Sequence, residues 1–387
     1  MTPGTRSLEQ LLAAKEIAIC CGAGGVGKTT TAAAAAAMAA VRLGGKVLVL
    51  TVDPARRLAD ALGMQDLGNV ETRVPESTFN AAGVEPRGEL WAAMLDAKQS
   101  WDELVRRHAP DKATVRKILD NPLYQNVSGR FAQGHEYIAM ERLYEIHQTG
   151  KYDLIVVDTP PTRNALDFLE APDRMAEFFS SRLLRWLTAP ARSRVLNLAS
   201  RPFYQVADRI LGTQFLQDIG EFFLLFQTMY DGFVERAEAV NRLVHDRRTT
   251  FVLVSTLEAA PLREAEYFMD ALVKLGLHPG ALVLNKVLPA YLLDAGASRV
   301  AERLRADGPA LAAAIGAEGA DATAIARVLG EVGESFLNFG VVAKREAEQR
   351  AELASVPDVV VSVPFFDTDI FDLAGLLRHG QAIWSPP

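Results

Sequence analysis

Residues 22–29 read Gly-Ala-Gly-Gly-Val-Gly-Lys-Thr, a glycine-rich turn that ends in a lysine and a threonine. Glycines let backbone N–H groups approach an anion closely, in conformations that a side chain would block. Lys28 is placed to contact the β- and γ-phosphates of a nucleotide, and the Thr29 hydroxyl is placed to ligate Mg²⁺. The spacing therefore predicts a phosphate-binding loop, or P-loop, with ATP and Mg²⁺ as its cofactors.

The segments on either side of this loop support the prediction. Residues 16–21 form a short apolar run typical of a buried strand, and residues 28 to about 43 favour a helix. Such a helix directs its N-terminal dipole at the same anion. The residues predicted to hold the nucleotide are Gly22, Ala23, Gly24, Gly25, Val26, Gly27, Lys28, Thr29 and Thr30.

The rest of the chain predicts one α/β domain over residues 1–387. Further apolar runs occur at 46–51, 152–158, 250–255, 281–284 and 358–363. They are continuously apolar rather than alternating, and helical stretches separate them, which indicates a parallel sheet covered on both faces. The predicted fold class is a parallel-sheet P-loop NTPase core.

Three stretches exceed a minimal sheet-and-helix unit. Residues at about 97–150 and about 165–247 are helical by periodicity and carry no strand signal, so they predict an inserted helical subdomain. An alanine-rich stretch at about 290–350 predicts a further helical insertion.

Composition and cysteine usage exclude several classes. The net charge of −7 argues against a nucleic-acid partner, which requires a basic surface. Cys20 and Cys21 are adjacent on a predicted strand, where neighbouring side chains diverge, so we expect two core residues rather than metal ligands. No leader-like segment and no apolar run of about 20 residues is apparent, so we expect a cytoplasmic protein without a transmembrane segment.

Two aspartates follow predicted strands. Asp53 comes directly after the second strand and Asp158 ends the third. Carboxylates at the C-terminal ends of parallel strands face the same crevice as the P-loop. We expect one to reach Mg²⁺ and the other to orient the attacking water, so Thr29, Asp53 and Asp158 are the candidate Mg²⁺ ligands. The alternative is that each aspartate only forms a turn or caps a helix.

The combination of residues 22–30, residues 53–60 (Asp-Pro-Ala-Arg-Arg-Leu-Ala-Asp) and residues 158–162 (Asp-Thr-Pro-Pro-Thr) resembles the ArsA-type ATPases. These belong to the deviant Walker A class of P-loop NTPases. The family includes the arsenite-pump ATPase and the eukaryotic ATPase that targets tail-anchored membrane proteins. The resemblance extends over most of the chain, including the helical insertion after Asp158.

The resemblance implies roles for several segments. The Asp53 segment would be switch I, with Asp53 positioning the hydrolytic water. Asp53 and Lys28 would then be the catalytic residues. Asn285 would contact adenine, with a strand-end turn residue as the alternative, and Pro364 and Phe365 would form a second part of the adenine pocket. Switch II would begin with Asp158, Thr159, Pro160, Pro161 and Thr162.

The chain departs from the family at Ala23. The family has a lysine at this position, which reaches across a dimer to the partner's phosphates, and such a charge-stabilising finger can be worth ~10³–10⁵ in rate. One explanation is a heteromer with a lysine-bearing paralogue, which we favour over a homodimer. A second explanation is that Arg56, Arg57 or Arg163 supplies the charge in place of the lysine. A third is that the chain is a slow ATPase that mainly binds nucleotide.

Apolar stripes at helical spacing follow residue 158. They indicate either a packed helical bundle or a groove for a hydrophobic or membrane-protein client, with peripheral membrane association as an option. The first stripe comprises Met175, Phe178, Phe179, Leu183, Trp186 and Leu187, and the second comprises Phe215, Ile219, Phe222, Phe223, Phe226, Met229, Tyr230 and Phe233.

We therefore expect an ATP-driven dimer switch that engages a client through its helices. Two alternatives remain open. One is an ATP-binding regulatory or scaffold subunit with little activity of its own, which Ala23 favours. The other is a ParA/MinD-like positioning ATPase, a class that generally lacks so long an insertion.

Overall fold

The structure is a computed structural model that describes residues 7–52, 57–64, 67–127, 132–160, 222–225, 229–315, 321–353 and 357–384, together with positions 169, 170, 174 and 177.

One eight-stranded sheet forms the centre of the fold. In chain order the strands are β1 (Ile17–Gly22), β2 (Lys46–Thr51), β3 (Thr72–Arg73), β4 (Glu89–Met94), β5 (Leu154–Asp158), β6 (Thr249–Ser255), β7 (Pro279–Val287) and β8 (Val359–Pro364).

Helices connect these strands and cover them. They are α1 (Leu8–Ala13), α2 (Lys28–Arg42), α3 (Arg57–Ala61), α4 (Glu76–Ala81), α5 (Ala97–His108), α6 (Lys112–Leu119), α7 (Pro122–Val127), α8 (Ala132–Gln148), α9 (Tyr230–Val244), α10 (Ala259–Lys274), a 3₁₀ turn (Ala290–Leu293), α11 (Ala295–Ala306), α12 (Gly308–Ile315), α13 (Ala322–Leu353) and α14 (Leu373–Trp384).

The strand order is β3-β4-β2-β5-β1-β6-β7-β8, and every pairing is parallel except that between β3 and β4. The six strands predicted from continuous apolar runs are all present in the sheet. β1 lies at its centre between β5 and β6. Strands β2 to β5 lie on one side of β1, and β6 to β8 lie on the other. In open parallel sheets, the point where the strand order reverses in this way creates a crevice at the carboxyl ends of the strands.

Side-chain alternation along the strands supplies two separate cores. On β1, Ile17, Ile19 and Cys21 belong to one buried cluster, while Ala18 and Cys20 belong to the other. The first cluster is completed by helices α5, α6, α8, α9 and α10, and the second by α1, α2, α3, α4 and α14. Both faces are thus buried, which explains why the strands carry continuous apolar runs.

The two strands at one edge of the sheet have no comparable sequence signal. β4 reads Glu-Leu-Trp-Ala-Ala-Met, and alanine is depleted in strands generally. β3 contains only two residues and runs antiparallel. Both are held in place by pairing, β4 with β2 and β3 with β4, so tertiary context rather than local propensity determines them.

Helices occupy the described parts of the stretches at about 97–150 and about 290–350. Helices α5 to α8 follow β4, and the 3₁₀ turn with α11 to α13 follows β7. Most of the stretch at about 165–247 lies outside the described residues, including Met175, Phe178, Phe179, Leu183, Trp186, Leu187, Phe215, Ile219 and Phe226. Within the described part, no helix is both long and apolar enough to cross a membrane.

The last helix, α14, packs directly on the P-loop helix α2. The alanines at 32–37 of α2 are buried and leave room for this close approach. A Cβ atom added to Gly380 would lie 2.2 Å from Cγ of Met38, so the contact requires a glycine. Between the helices, His379 Nε2 lies 3.1 Å from the Thr31 hydroxyl, and burial lowers the pKa of His379 to about 4.

His379 predicts a pH dependence of folding. Its pKa in the folded chain is below the ordinary value of 6.5, so between these values the unfolded chain binds a proton that the folded chain does not. The wild type therefore loses free energy of unfolding as the pH falls from 6.5 toward 4, and about 2 kcal/mol is lost by about pH 5.

The matched variant is His379→Gln, which keeps a polar partner for Thr31 but cannot titrate. We expect its free energy of unfolding, measured by urea denaturation at about pH 7.5 and about pH 5, to fall by about 2 kcal/mol less than that of the wild type. An identical fall in the two proteins contradicts the assignment.

Candidate nucleotide-binding site

The P-loop connects the central strand to the buried helix α2. β1 ends at Gly22 and α2 begins at Lys28, with Gly27 at the N-cap position. Gly25 and Gly27 have positive φ angles of 82° and 91°, in the left-handed region that favours glycine. The first N–H groups of α2 therefore point out from the carboxyl edge of the sheet, where an anion can accept hydrogen bonds from them.

The glycines of the loop serve different purposes. A Cβ on Gly22 would lie 2.2 Å from the carbonyl oxygen of Val254 on β6, and one on Gly27 would lie 2.2 Å from Nδ2 of Asn285. Among the described residues, apart from the adjoining residues of the loop itself, no atom lies within 4 Å of the position that a Cβ would take on Gly24 or Gly25. Neighbouring protein thus requires glycine at 22 and 27, while the space at 24 and 25 is open.

Three polar side chains of the site lie close to the Asp158 carboxylate. Its Oδ2 accepts hydrogen bonds from the Thr29 hydroxyl at 2.7 Å and from the Thr51 hydroxyl at 3.0 Å. Lys28 Nζ lies 3.8 Å from Oδ1. Asp158 and Thr51 are buried and the Lys28 ammonium is nearly so, so the charges face each other away from bulk water.

This arrangement fits a divalent cation. The Thr29 hydroxyl and the Asp158 carboxylate are hard oxygen donors, and they already lie within hydrogen-bond distance of each other beside the P-loop. Mg²⁺ is bound in nucleotide sites by one or two such groups together with phosphate oxygens and water. Two of the three predicted Mg²⁺ ligands are therefore adjacent in space.

Other predicted residues are only partly described. Asp53, Arg56, Pro161, Thr162 and Arg163 lie outside the described residues. In the described part of the predicted switch II, Thr159 is buried and its hydroxyl donates to the carbonyl of Cys20 at 2.8 Å. The segment after β5 is thus bonded to β1 just before the P-loop.

The three residues predicted for the adenine pocket lie at the ends of two neighbouring strands. Asn285 is near the end of β7, and Pro364 ends β8. Phe365 N donates to Val287 O at 2.9 Å, and 57% of the Phe365 surface is exposed. The exposed ring is available to a planar ligand, while the buried Asn285 amide donates to Val26 O of the P-loop at 2.8 Å.

Sequence reasoning missed two residues of the site. Thr51 contacts Asp158 from the end of β2, and its position directly before Val52-Asp53 was the available signal. Lys286 Nζ donates to the carbonyl of Gly25 at 3.1 Å. Only the tertiary fold reveals this contact, because the two residues are far apart in the chain.

The cysteines have no place in the nucleotide site. Cys20 and Cys21 are buried in opposite cores, as the strand alternation predicts. Burial raises the pKa of Cys20 well above its ordinary value and that of Cys21 to about 12. Both therefore remain thiols near neutral pH. No group of three or more potential metal-binding side chains occurs among the residues that the structure describes.

Comparison with known proteins agrees with this geometry. The family model of the ArsA ATPases, described as anion-transporting ATPases, matches residues 15–307. The chain belongs to this family. The match extends from just before β1 into the region after α11, so it covers the P-loop, Asp158 and Asn285 but ends before α13 and β8.

Several curated relatives are similar over about the same region. The chain is 29% identical to ATPase ASNA1 homolog 1 of Paramecium tetraurelia over 69% of this chain and 73% of the relative. It is 25% identical to ATPase GET3 of Malassezia globosa over 73% and 76%. It is 26% identical to a candidate arsenical pump-driving ATPase of Prosthecochloris vibrioformis over 70% of this chain, but spans only 60% of that relative's length.

The glycine geometry predicts unequal effects of two alanine substitutions. Gly27→Ala puts a Cβ on a left-handed residue and against the Asn285 amide, so we expect it to lower the free energy of unfolding by about 1–3 kcal/mol. Gly24→Ala meets no neighbour, and we expect a change within about 0.5 kcal/mol. Chemical denaturation without nucleotide measures both, and equal losses would refute this account of the loop.

Proposed function

We propose that this chain binds Mg·ATP at the P-loop, hydrolyses it, and uses the nucleotide state to switch a dimer that engages a protein or hydrophobic client. The observation that carries the proposal is the cluster of Lys28, Thr29 and Asp158 at the carboxyl edge of the sheet. Membership in the ArsA ATPase family supports the same activity.

The residues of the cluster have separate tasks. The P-loop N–H groups and Lys28 bind the phosphates, and Thr29 with Asp158 holds Mg²⁺, directly or through water. A Mg²⁺ ion held by these two residues would supply positive charge to the phosphates. Thr51 keeps the Asp158 carboxylate oriented from the neighbouring strand. The family resemblance assigns Asp53 the task of positioning the attacking water.

Ala23 supports a partner subunit. The loop is otherwise complete, but alanine cannot reach across a dimer to stabilise transferred charge. A paralogue with lysine at this position would supply that charge in trans, while this chain contributes its own phosphate and metal ligands. The favoured assembly is therefore a heteromer, and the alternatives are a homodimer and an ATP-binding scaffold subunit with little activity of its own.

Polar contacts connect the segment that follows α3 with two of the helices that follow β4. Arg142 on α8 donates to the carbonyl of Asn69 at 2.9 Å and to Glu71 at 2.8 Å, in the segment that follows α3. The Asn69 side chain accepts from the Ser100 hydroxyl on α5 at 3.0 Å. The segment that follows α3 is therefore bonded to α5 and α8, and we infer that a displacement of this segment would be transmitted to both helices.

Two residues of the second apolar stripe are not available to contact a client. Phe222 and Met229, from the second apolar stripe, are buried in the core with α8 and α9, so their side chains stabilise the bundle. A client would contact other members of the stripes. This part of the proposal depends on the family resemblance and on the apolar character of residues 165–247.

The metal role of Asp158 generates a direct test of the activity. We expect Asp158→Asn to lower Mg²⁺-dependent ATP turnover by about 100-fold or more, because the carboxylate charge beside Lys28 and Thr29 is lost. The assay is phosphate release with the protein at matched concentration and confirmed folding. Asp270→Asn, on the exposed surface of α10, is the matched control. Turnover by Asp158→Asn within twofold of the wild type would disprove the proposed site.

The partner requirement is tested by restoring the missing charge. We expect Ala23→Lys to raise the ATP turnover of the chain alone by about tenfold or more, since the added lysine can act across a dimer of the variant. The gain should increase with protein concentration, because it needs two chains.

Ala23→Met supplies similar length without charge and should show no gain. If the wild type alone already turns over ATP vigorously and Ala23→Lys adds nothing, the chain does not need a lysine-bearing partner.

A further inference from the structure

We propose that Asn285 and Lys286 form a brace that holds the P-loop open for phosphate, and that Lys286 is a positioning residue of the nucleotide site. The Asn285–Lys286 brace consists of these two side chains and the loop carbonyls they bind. The inference depends on the proposed nucleotide site and extends it to a residue for which no role was predicted.

The two side chains bind successive carbonyls of the loop. Asn285 Nδ2 donates to Val26 O at 2.8 Å, and Lys286 Nζ donates to Gly25 O at 3.1 Å. A third hydrogen bond connects the two residues, since Lys286 N donates to Asn285 Oδ1 at 2.9 Å. Both polar atoms of the Asn285 amide are thereby used within the protein.

The backbone is distorted at the point where this is needed. In a regular strand Asn285 and Lys286 would point to opposite faces of the sheet and could not reach the same loop. The pairing of β7 with β8 shifts register between Leu284 and Val287. Lys286 has a φ of 58° and is the one non-glycine residue with positive φ among the residues that the structure describes. The irregularity therefore directs both side chains to the P-loop.

Such a conformation needs a reason. A left-handed backbone is unfavourable for lysine, because its Cβ crowds the following carbonyl oxygen. Strained residues persist where the surrounding contacts hold them, and they concentrate at functional sites. Here the holding contacts are the Asn285 amide on one side and the Gly25 carbonyl on the other.

The brace acts on the electrostatics of the loop. Phosphate oxygens are repelled by carbonyl oxygens and attracted by N–H groups, so a P-loop must keep its carbonyls turned away from the anion. Asn285 and Lys286, at the end of β7, donate hydrogen bonds to two of these carbonyls. Gly27 has no Cβ, and this absence is what gives the Asn285 amide access. The cradle is therefore preorganised before the nucleotide binds.

This role differs from the adenine contact that the resemblance implies for Asn285. A brace affects the binding of phosphates with or without a base, whereas a base contact affects only the nucleotide. Inorganic tripolyphosphate, which has no base, separates the two.

The experiment measures the Kd values of Mg·ATP and of Mg·tripolyphosphate by calorimetry on the full chain. We expect Lys286→Met and Asn285→Ala to raise the Kd values of both ligands by a similar factor, roughly tenfold. Asn285 is uncharged, so its effect on tripolyphosphate cannot arise from lost attraction to the anion through space. Lys286→Arg should restore most of the affinity, because it keeps a cationic donor.

Three controls complete the design. Lys286→Asn suits a left-handed backbone but lacks the amine, so it should behave like Lys286→Met. Lys274→Met removes an exposed lysine at the end of α10 and should change neither Kd value. Phe365→Ala should weaken ATP alone.

Unchanged Kd values for tripolyphosphate in Lys286→Met and Asn285→Ala overturn the brace, even if ATP binding falls. If the wild type binds neither ligand, the proposed nucleotide site itself fails. These two results are distinguishable because the first requires a wild type that binds.

Discussion

The Asp158 carboxylate is the constraint on which the nucleotide edge of this protein depends. It ends β5, accepts hydrogen bonds from Thr29 on α2 and from Thr51 on β2, and faces Lys28. Burying a carboxylate is costly unless charge and hydrogen bonds compensate it. The ends of two strands and the start of α2 are therefore held together by one anion, at the place where a second, larger anion has to bind.

The same edge is supported from outside by close packing. The small residues of α2 let α14 approach until Gly380 contacts Met38, and His379 bonds Thr31 in the first turn of α2. On the other side of the loop, β7 reaches the P-loop carbonyls through Asn285 and Lys286. The P-loop thus depends on segments from the last third of the chain, so its geometry is a property of the whole fold.

This chain differs from the family pattern in the positive charges at its P-loop. Among the described residues, Lys28 contacts Asp158 and Lys286 donates to Gly25 O at the P-loop. The position from which the family reaches a partner carries Ala23 instead. In the proposed heteromer, this chain would bind phosphate with its own residues and the charge that acts across the interface would come from the partner.

The sequence by itself determined the fold class and the centre of the site. The glycine-rich turn between an apolar run and a helix-forming segment located the P-loop, because its chemistry requires a fixed local spacing. Continuous apolar runs located six strands, because a sheet buried on both faces needs them. Asp158 could be placed beside the loop because the carboxyl ends of parallel strands meet at one edge.

The tertiary structure alone decided the rest. β4 has an alanine-rich sequence and becomes a strand because β2 offers it a partner. The contacts of Thr51 with Asp158 and of Lys286 with Gly25 O join residues distant in the chain. Lys286 even contradicts local preference, with a left-handed backbone that is held by Asn285 and by the P-loop. Local chemistry can be read from a short segment, but a contact between distant segments exists only once the sheet has brought them together.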